Sequence, residues 1–254
     1  MIRPSKRHRD ILDLVRDQGT CQISDLAAHF GVSLETIRRD VKPLTNQGLL
    51  QKAHGAVFLP DRLGEAPFER RMREQAGEKK AIAKALARRI SDGDSLILDT
   101  GTTTSYLARA LLDHNNLTVV TNSSDVARTL ATVNANKVYM AGGELRGDNG
   151  AAFGPAAIEF IGRFRARYAV ISIGAINAEA GFMDYGLAES ELARKALQCG
   201  DTKVVISDHS KFGRRSLVTV AAFDEVDLLV TDQNPPEDIA RSLKLAGAEI
   251  VVAS

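Results

Sequence analysis

Apolar positions along the chain fall into two regimes. Up to about residue 59 they recur at helical spacing in three short stretches. Ile11, Leu12, Leu14 and Val15 predict a first helix over 5–15, stopped by Gly19. Leu26, Ala27 and Phe30 mark a second, with Ser24 as its N-cap and Gly31 where a C-cap wants a residue tolerant of positive φ. Ile37, Val41 and Leu44 stripe a third over 34–46, capped by Ser33 and ended by Gly48. Pro43 falls inside it and predicts a bend or an early end, because proline removes a helical hydrogen bond. Residues 48–59 read as two short strands around an Ala53-His54-Gly55 turn.

Residues 60–77 are rich in Arg and Glu, poor in apolar residues, and read as a partly helical linker. After them strands alternate with helices. Helices are predicted over 78–90, 104–112, 124–132, 155–165, 188–198 and 236–245. Strands are predicted over 95–98, 117–120, 137–140, 168–173, 203–206, 228–230 and 249–252. Continuous apolar strands separated by helices mean a parallel sheet covered on both faces, so the fold class is α/β with a separate N-terminal helical module. The expected domains are 1–59, a linker 60–77, and 78–254.

Two helices joined at Gly31-Val32-Ser33 are arranged to present the third helix to a DNA major groove. Ser33, Glu35, Thr36 and Arg39 can face bases or nearby phosphates. Arg38 can reach guanine or phosphate with a forked geometry, and Lys42 and Lys52 suit phosphate. The same spacing also fits a three-helix docking or dimerisation module whose arginines only solvate a surface. Asp40 reads as a carboxylate that holds an arginine in place rather than as a base reader.

In the second module the first strand runs into Asp99-Thr100-Gly101-Thr102-Thr103-Thr104 and then a helix. Such a loop offers backbone N–H groups, hydroxyls and a positive helix end to one anion. It lacks both the Gly-x-Gly-x-x-Gly spacing and the Gly-Lys-Ser/Thr ending of nucleotide loops. The next two strands lead into Thr121-Asn122-Ser123-Ser124 and Ala141-Gly142-Gly143, on what should be one edge of the sheet, where open α/β folds bind ligands. A fourth strand meets Asp208-His209-Ser210-Lys211-Phe212-Gly213, whose carboxylate and ammonium suit a polyol hydroxyl and a phosphate. Asp99 can accept from sugar hydroxyls or cap the following turn. Asp99, Asp184, Glu189 and Asp208 also keep open a sugar-phosphate isomerase-like enzyme, although no acid and base are paired at a defensible spacing.

Charge changes the picture only when it is divided. The formal net charge of the 254-residue chain is +1, which by itself argues against a nucleic-acid partner. The first 60 residues carry nine Lys+Arg against six acids, +3, which leaves −2 for the rest. Cys21 and Cys199 stand far apart without a Cys/His cluster, so no disulfide framework, metal site or cofactor is expected. Charged Met1 to Asp10 are followed by no apolar signal core, and no apolar run approaches the roughly 18 residues that span a bilayer. A cytoplasmic protein with no membrane partner is expected.

Thr36-Ile37-Arg38-Arg39-Asp40, preceded by Val32-Ser33 and followed by Leu44, Gly48-Leu49-Leu50 and His54-Gly55, resembles the DeoR family of bacterial transcription regulators. Ala56 and Lys52 depart from the usual glycine and arginine. The family resemblance implies a winged helix-turn-helix with His54 in the wing, and a sensor domain with the fold of sugar-phosphate isomerases. Matching sensor motifs are Leu98 to Thr104, Val120-Thr121-Asn122-Ser123, Gly142-Gly143, Asp208 to Gly213 and Val230-Thr231-Asp232. Ala151-Ala152-Phe153-Gly154 and Phe182-Met183-Asp184-Tyr185 are similar to the branch of the family that governs glycerol-3-phosphate genes. The resemblance implies a repressor that leaves operator DNA when a phosphorylated sugar or polyol binds, and a homodimer or homotetramer.

Overall fold

The computed structural model describes residues 5–18, 20–47, 49–53, 55–58 and 68–253. Two compact units divide the chain at Gly64/Glu65. In the first, α1 (Lys6–Gln18), β1 (Thr20–Gln22), α2 (Ile23–Phe30), α3 (Leu34–Asn46), β2 (Gln51–Ala53) and β3 (Ala56–Phe58) surround one core. That core joins Ile11, Val15, Cys21, Leu26, Ile37, Val41, Leu44, Leu50 and Val57, each almost fully buried. The three strands form an antiparallel sheet in the order β1-β3-β2. Helix, turn, helix and β-hairpin thus make the winged arrangement that the first 59 residues predict. Gly19, Gly48 and His54 lie outside the described residues.

Three details of this unit differ from expectation. Ser24 is not a cap: α2 begins at Ile23 with Gln22 as N-cap and no capping side chain, and Ser24 Oγ donates to Asp25 Oδ1 at 3.2 Å. Burial of Ile23 against the core draws the helix start forward. Pro43 does not end α3 early, since the helix runs on to Asn46 and the Gln47 N–H closes it on the Pro43 carbonyl at 3.1 Å. Val41 and Leu44 on either side of Pro43 are buried, and packing outweighs one missing hydrogen bond. β1 was not predicted, because a three-residue strand has no readable period and exists only through its pairing with β3.

The second unit opens with α4 (Phe68–Arg73) and α5 (Ala76–Ala87). Then follow β4 (Ser95–Leu98), α6 (Thr102–Ala110), β5 (Thr118–Thr121), α7 (Ser124–Leu130), β6 (Lys137–Met140) and α8 (Pro155–Gly162). The chain continues through β7 (Ala166–Ser172), β8 (Ala175–Asn177), β9 (Gly181–Asp184), α9 (Leu187–Leu197), β10 (Gly200–Ile206) and β11 (Val218–Ala221). It ends with β12 (Leu228–Thr231), α10 (Glu237–Ala246) and β13 (Glu249–Val252). Seven strands form one all-parallel sheet in the order β13-β12-β10-β7-β4-β5-β6. Alternation along the strands sorts the core into two layers. Leu96, Leu98, Val119, Val170, Val204 and Val230 pack with Ile82, Leu86, Leu107 and Val126 of α5, α6 and α7. Ile97, Val120, Ala169, Ile171, Val205 and Leu229 pack on the other face with α8, α9 and α10.

All the helices and strands expected after residue 77 are present, with ends displaced by a few residues. β8, β9 and β11, which form a separate antiparallel sheet, were not predicted. Their three or four residues carry too little pattern, and Gly181 shows what decides them. It sits at φ +75°, and a Cβ there would lie 2.5 Å from the Ala221 carbonyl oxygen, where β11 closes on β9. Gly181→Ala is expected to lower stability by about 1–3 kcal/mol, from backbone strain and the displaced strand. Urea unfolding of the purified variant checks this; an unchanged midpoint contradicts the packing argument.

Candidate functional site

Spacing alone aligns the exposed face of α3. Glu35, Arg38, Arg39 and Lys42 recur at intervals of three and four and are all exposed, while Ile37, Val41 and Leu44 on the opposite side are buried. Ser33 caps the helix by accepting the Thr36 N–H at 3.2 Å, and the two hydroxyls lie 2.8 Å apart. These two candidate contacts therefore also build the helix start. Arg38 lies 3.6 Å from Glu35, which aims a highly exposed guanidinium along the helix. Asp40 does hold an arginine, but one far along the chain: it accepts from Arg7 Nε of α1 at 2.6 Å, with His8 3.7 Å away. Lys52 is exposed on β2, paired in register with Val57. His54 is outside the described residues.

In the second unit the chain winds from β4 through β5 to β6 in one direction and then lays β7 on the other side of β4. The C-terminal ends of β4 and β7 are thus a topological switch point, where open α/β sheets form a crevice. Two contacts hold those ends together. The Asp99 carboxylate, almost fully buried, accepts the Ser172 N–H at 3.1 and 3.2 Å. Gly101 presses against the same residue: a Cβ at Gly101 would fall 1.8 Å from Ser172 Oγ. Gly101 is extended, at φ −175°, so glycine is needed there for space and not for backbone freedom.

α6 starts directly after it. Thr102, Thr103 and Thr104 are buried in its first turn, and Thr104 Oγ1 donates to the Gly101 carbonyl at 3.0 Å. The turn leaves backbone N–H groups pointing out of the helix end. After β5, Ser123 caps α7 through the Val126 N–H at 3.3 Å. Asn122 is wholly buried and donates to the Ala152 carbonyl at 3.0 Å, while its Oδ1 has no hydrogen-bond partner. Thr100 Oγ1 and Thr231 Oγ1 are likewise buried without a partner. Unpaired buried acceptors and hydroxyls are costly, and they gather at strand ends where a polar ligand can satisfy them.

After β10, Asp208 is buried and accepts the Ser210 N–H at 3.0 Å, which shapes the turn that carries Lys211. Gly142 and Gly143 follow the edge strand β6 and are exposed. β6 and β10 are four strand spacings apart, about 19 Å, so the glycines do not join Asp208 and Lys211. The loops that carry Asp99 to Thr104, Asn122 and Ser123, and Asp208 and Lys211 follow β4, β5 and β10, strands that lie within three spacings of one another in the same parallel sheet.

Lys79 was missed. It is buried on α5, and its Nζ donates to the carbonyls of Arg71 at 2.6 Å and Glu74 at 2.9 Å. Burial pushes its ammonium below the usual lysine range, with Asp208 opposing that shift and Lys211 adding to it, so its charge faces the loop that carries them. The signal was present: Lys79, Ile82, Ala83 and Leu86 form one inward stripe at i, i+3, i+4 and i+7, and a lysine in an apolar stripe asks for a partner. Also missed was His209, which pairs with Asp232 at 2.6 Å and pins the Asp208 turn to the end of β12. Among the described residues there is no cluster suited to a metal ion and no helix long and apolar enough to cross a membrane.

Comparison with known proteins agrees with both units. Residues 7–62 match the DeoR-like helix-turn-helix domain, and residues 74–233 match the DeoR C-terminal sensor domain. The chain is 35% identical to the glycerol-3-phosphate regulon repressor of Escherichia coli K12, over 95% of this chain and 96% of that protein. It is also 35% identical to the HTH-type transcriptional repressor CsqR of the same strain, over 97% of this chain and 94% of that one. Among solved structures, ribose 5-phosphate isomerase A from Neisseria gonorrhoeae superposes with a TM-score of 0.39 at 14% identity, over 57% of this chain and 55% of that chain. The full-length relatives are named as repressors, and this chain is a regulator rather than an enzyme. A helix-turn-helix unit followed by a sensor domain, matched along nearly the whole length, means that the chain belongs to the DeoR family of transcription regulators.

Proposed function

We propose that this protein represses genes of sugar or polyol catabolism and leaves its operator when a phosphorylated sugar or polyol enters the crevice between β4 and β7. In this reading residues 1–59 bind DNA, 60–77 link, and 78–254 sense. The observation that carries it is the buried threonine turn at the start of α6, set at the switch point, with buried polar atoms that lack partners at the neighbouring strand ends. A phosphate takes the N–H groups of that turn, Lys211 adds charge, and Asp208 and Asn122 suit the hydroxyls. Glycerol 3-phosphate is the leading ligand, on the strength of the relative named for that regulon.

Glu35, Arg38 and Arg39 read the major groove from α3, with Ser33 and Thr36 at its N-terminus, while Lys42, Lys52 and His54 meet phosphate. The head carries a net charge of only +3, so one copy holds DNA weakly. Specific binding then requires a homodimer or homotetramer that reads spaced half-sites. The ligand shifts DNA occupancy by no more than its differential affinity for the two states.

Arg38→Ala is expected to weaken operator binding by about 1–3 kcal/mol, roughly 5- to 150-fold, with an unchanged melting temperature; a gel shift at fixed salt with unaltered affinity removes α3 as the reading helix. Lys211→Ala should keep operator affinity but raise the ligand concentration needed for release at least about tenfold, as expected for a lost charge-assisted contact. A thermal-shift panel of glycerol 3-phosphate, ribose 5-phosphate and fructose 6-phosphate identifies the ligand, since saturation at 100 times Kd adds about 2.7 kcal/mol. A shift with a phosphosugar and none with glycerol 3-phosphate reassigns the ligand, and no shift with any of the three contradicts the phosphate site.

A further inference from the structure

The crevice is physically tied to the helix through which the chain enters the sensor unit. α4 has six residues and buries none of them, and a helix that short does not hold itself in water. Three side-chain hydrogen bonds hold the carbonyls at its C-terminal end and of Glu74 just beyond it. Lys79 Nζ takes those of Arg71 and Glu74, at 2.6 and 2.9 Å, and the Tyr106 hydroxyl donates to that of Met72 at 2.8 Å. These are the carbonyls a helix end leaves unpaired, and the ammonium also meets the negative end of the helix dipole. Both donors stand on helices packed against each other beside the crevice, Tyr106 on α6, whose first turn opens at the crevice, and Lys79 on α5. Tyr106 lies one turn beyond Thr102 on α6, and the charge of Lys79 faces Asp208 and Lys211. Between α4 and α5 the chain turns at Gln75, a non-glycine residue held at φ +52° in the left-handed region.

We infer that Tyr106 and Lys79 are positioning residues that clamp the end of α4 in the DNA-binding state, and that an anion in the crevice releases this clamp by drawing on the same ammonium and the same helix. The inference rests on the ligand site given under the proposed function. A phosphate dianion beside Lys79 competes with two neutral carbonyls for its N–H donors, and charge-assisted bonds are about twice as strong as neutral ones. Loss of the clamp frees α4, the first described element of the unit that follows the DNA-binding unit in the chain.

Tyr106→Phe removes one hydroxyl and keeps the ring, so it tests the clamp without emptying the crevice. In the full-length protein without ligand, the variant is expected to speed amide exchange across residues 68–75 and tryptic cleavage after Arg71 and Arg73 at least about tenfold. Operator affinity should fall at least fivefold, while the global melting temperature stays within two degrees. With glycerol 3-phosphate as probe, its affinity by titration should stay within twofold of the unmodified protein while the concentration that releases DNA falls. Lys79→Met should repeat the ligand-free effects on α4 and operator affinity. Unchanged exchange, cleavage and operator affinity in Tyr106→Phe overturn the clamp. If glycerol 3-phosphate leaves the unmodified protein unaffected, that reading of the ligand fails, and the ligand-free measurements still decide the clamp.

Discussion

Everything in the sensor unit depends on the close approach of β4 and β7. The chain reverses its direction of travel across the sheet between them, so the gap at their C-terminal ends is the one place where loops splay apart above a continuous sheet. The gap is kept narrow by a buried carboxylate on a backbone amide and by a glycine with no room for a side chain. Asp99 and Gly101, read from sequence as ligand groups, therefore have an architectural task. They set the position of the α6 helix end, and that helix end offers the N–H groups.

The crevice illustrates how a domain with a net charge of about −2 can admit an anion. Attraction is local. In the proposed site it comes from the first turn of α6 and from Lys211, with Lys79 held on α5 by two backbone carbonyls. A buried ammonium hydrogen-bonded to backbone carbonyls stores an alternative set of partners, and a stronger acceptor can redirect it. Regulation needs an element with two arrangements of similar energy, and the proposed clamp assigns that part to α4, which is short and unburied.

The DNA-binding unit follows a different economy. Its helix α3 is held from behind by three buried apolar residues and by Asp40, which grips Arg7 of α1. Fixing the helix through its back leaves the exposed face free for polar residues that add little to stability. Pro43 is tolerated for the same reason, since Val41 and Leu44 anchor the turns around it.

Long periodic segments made the order of elements, the parallel sheet and the face of α3 legible in the residues alone, because burial on one or both sides imposes a period that any reader of the chain can count. The Thr102 to Thr104 turn and the Asp208 loop were visible for a similar reason, as polar clusters placed at strand ends. Strands of three or four residues, β1, β8, β9 and β11, were not visible, since pairing with distant segments creates them. Nor could spacing show that Asp99 reaches Ser172, that Asp40 reaches Arg7 across 33 residues, or that Lys79 and Tyr106 converge on α4. Sequence determined which chemistry was available and on which element it stood. Tertiary structure decided its partners, because strand order and helix packing bring together groups whose separation along the chain carries no information about distance.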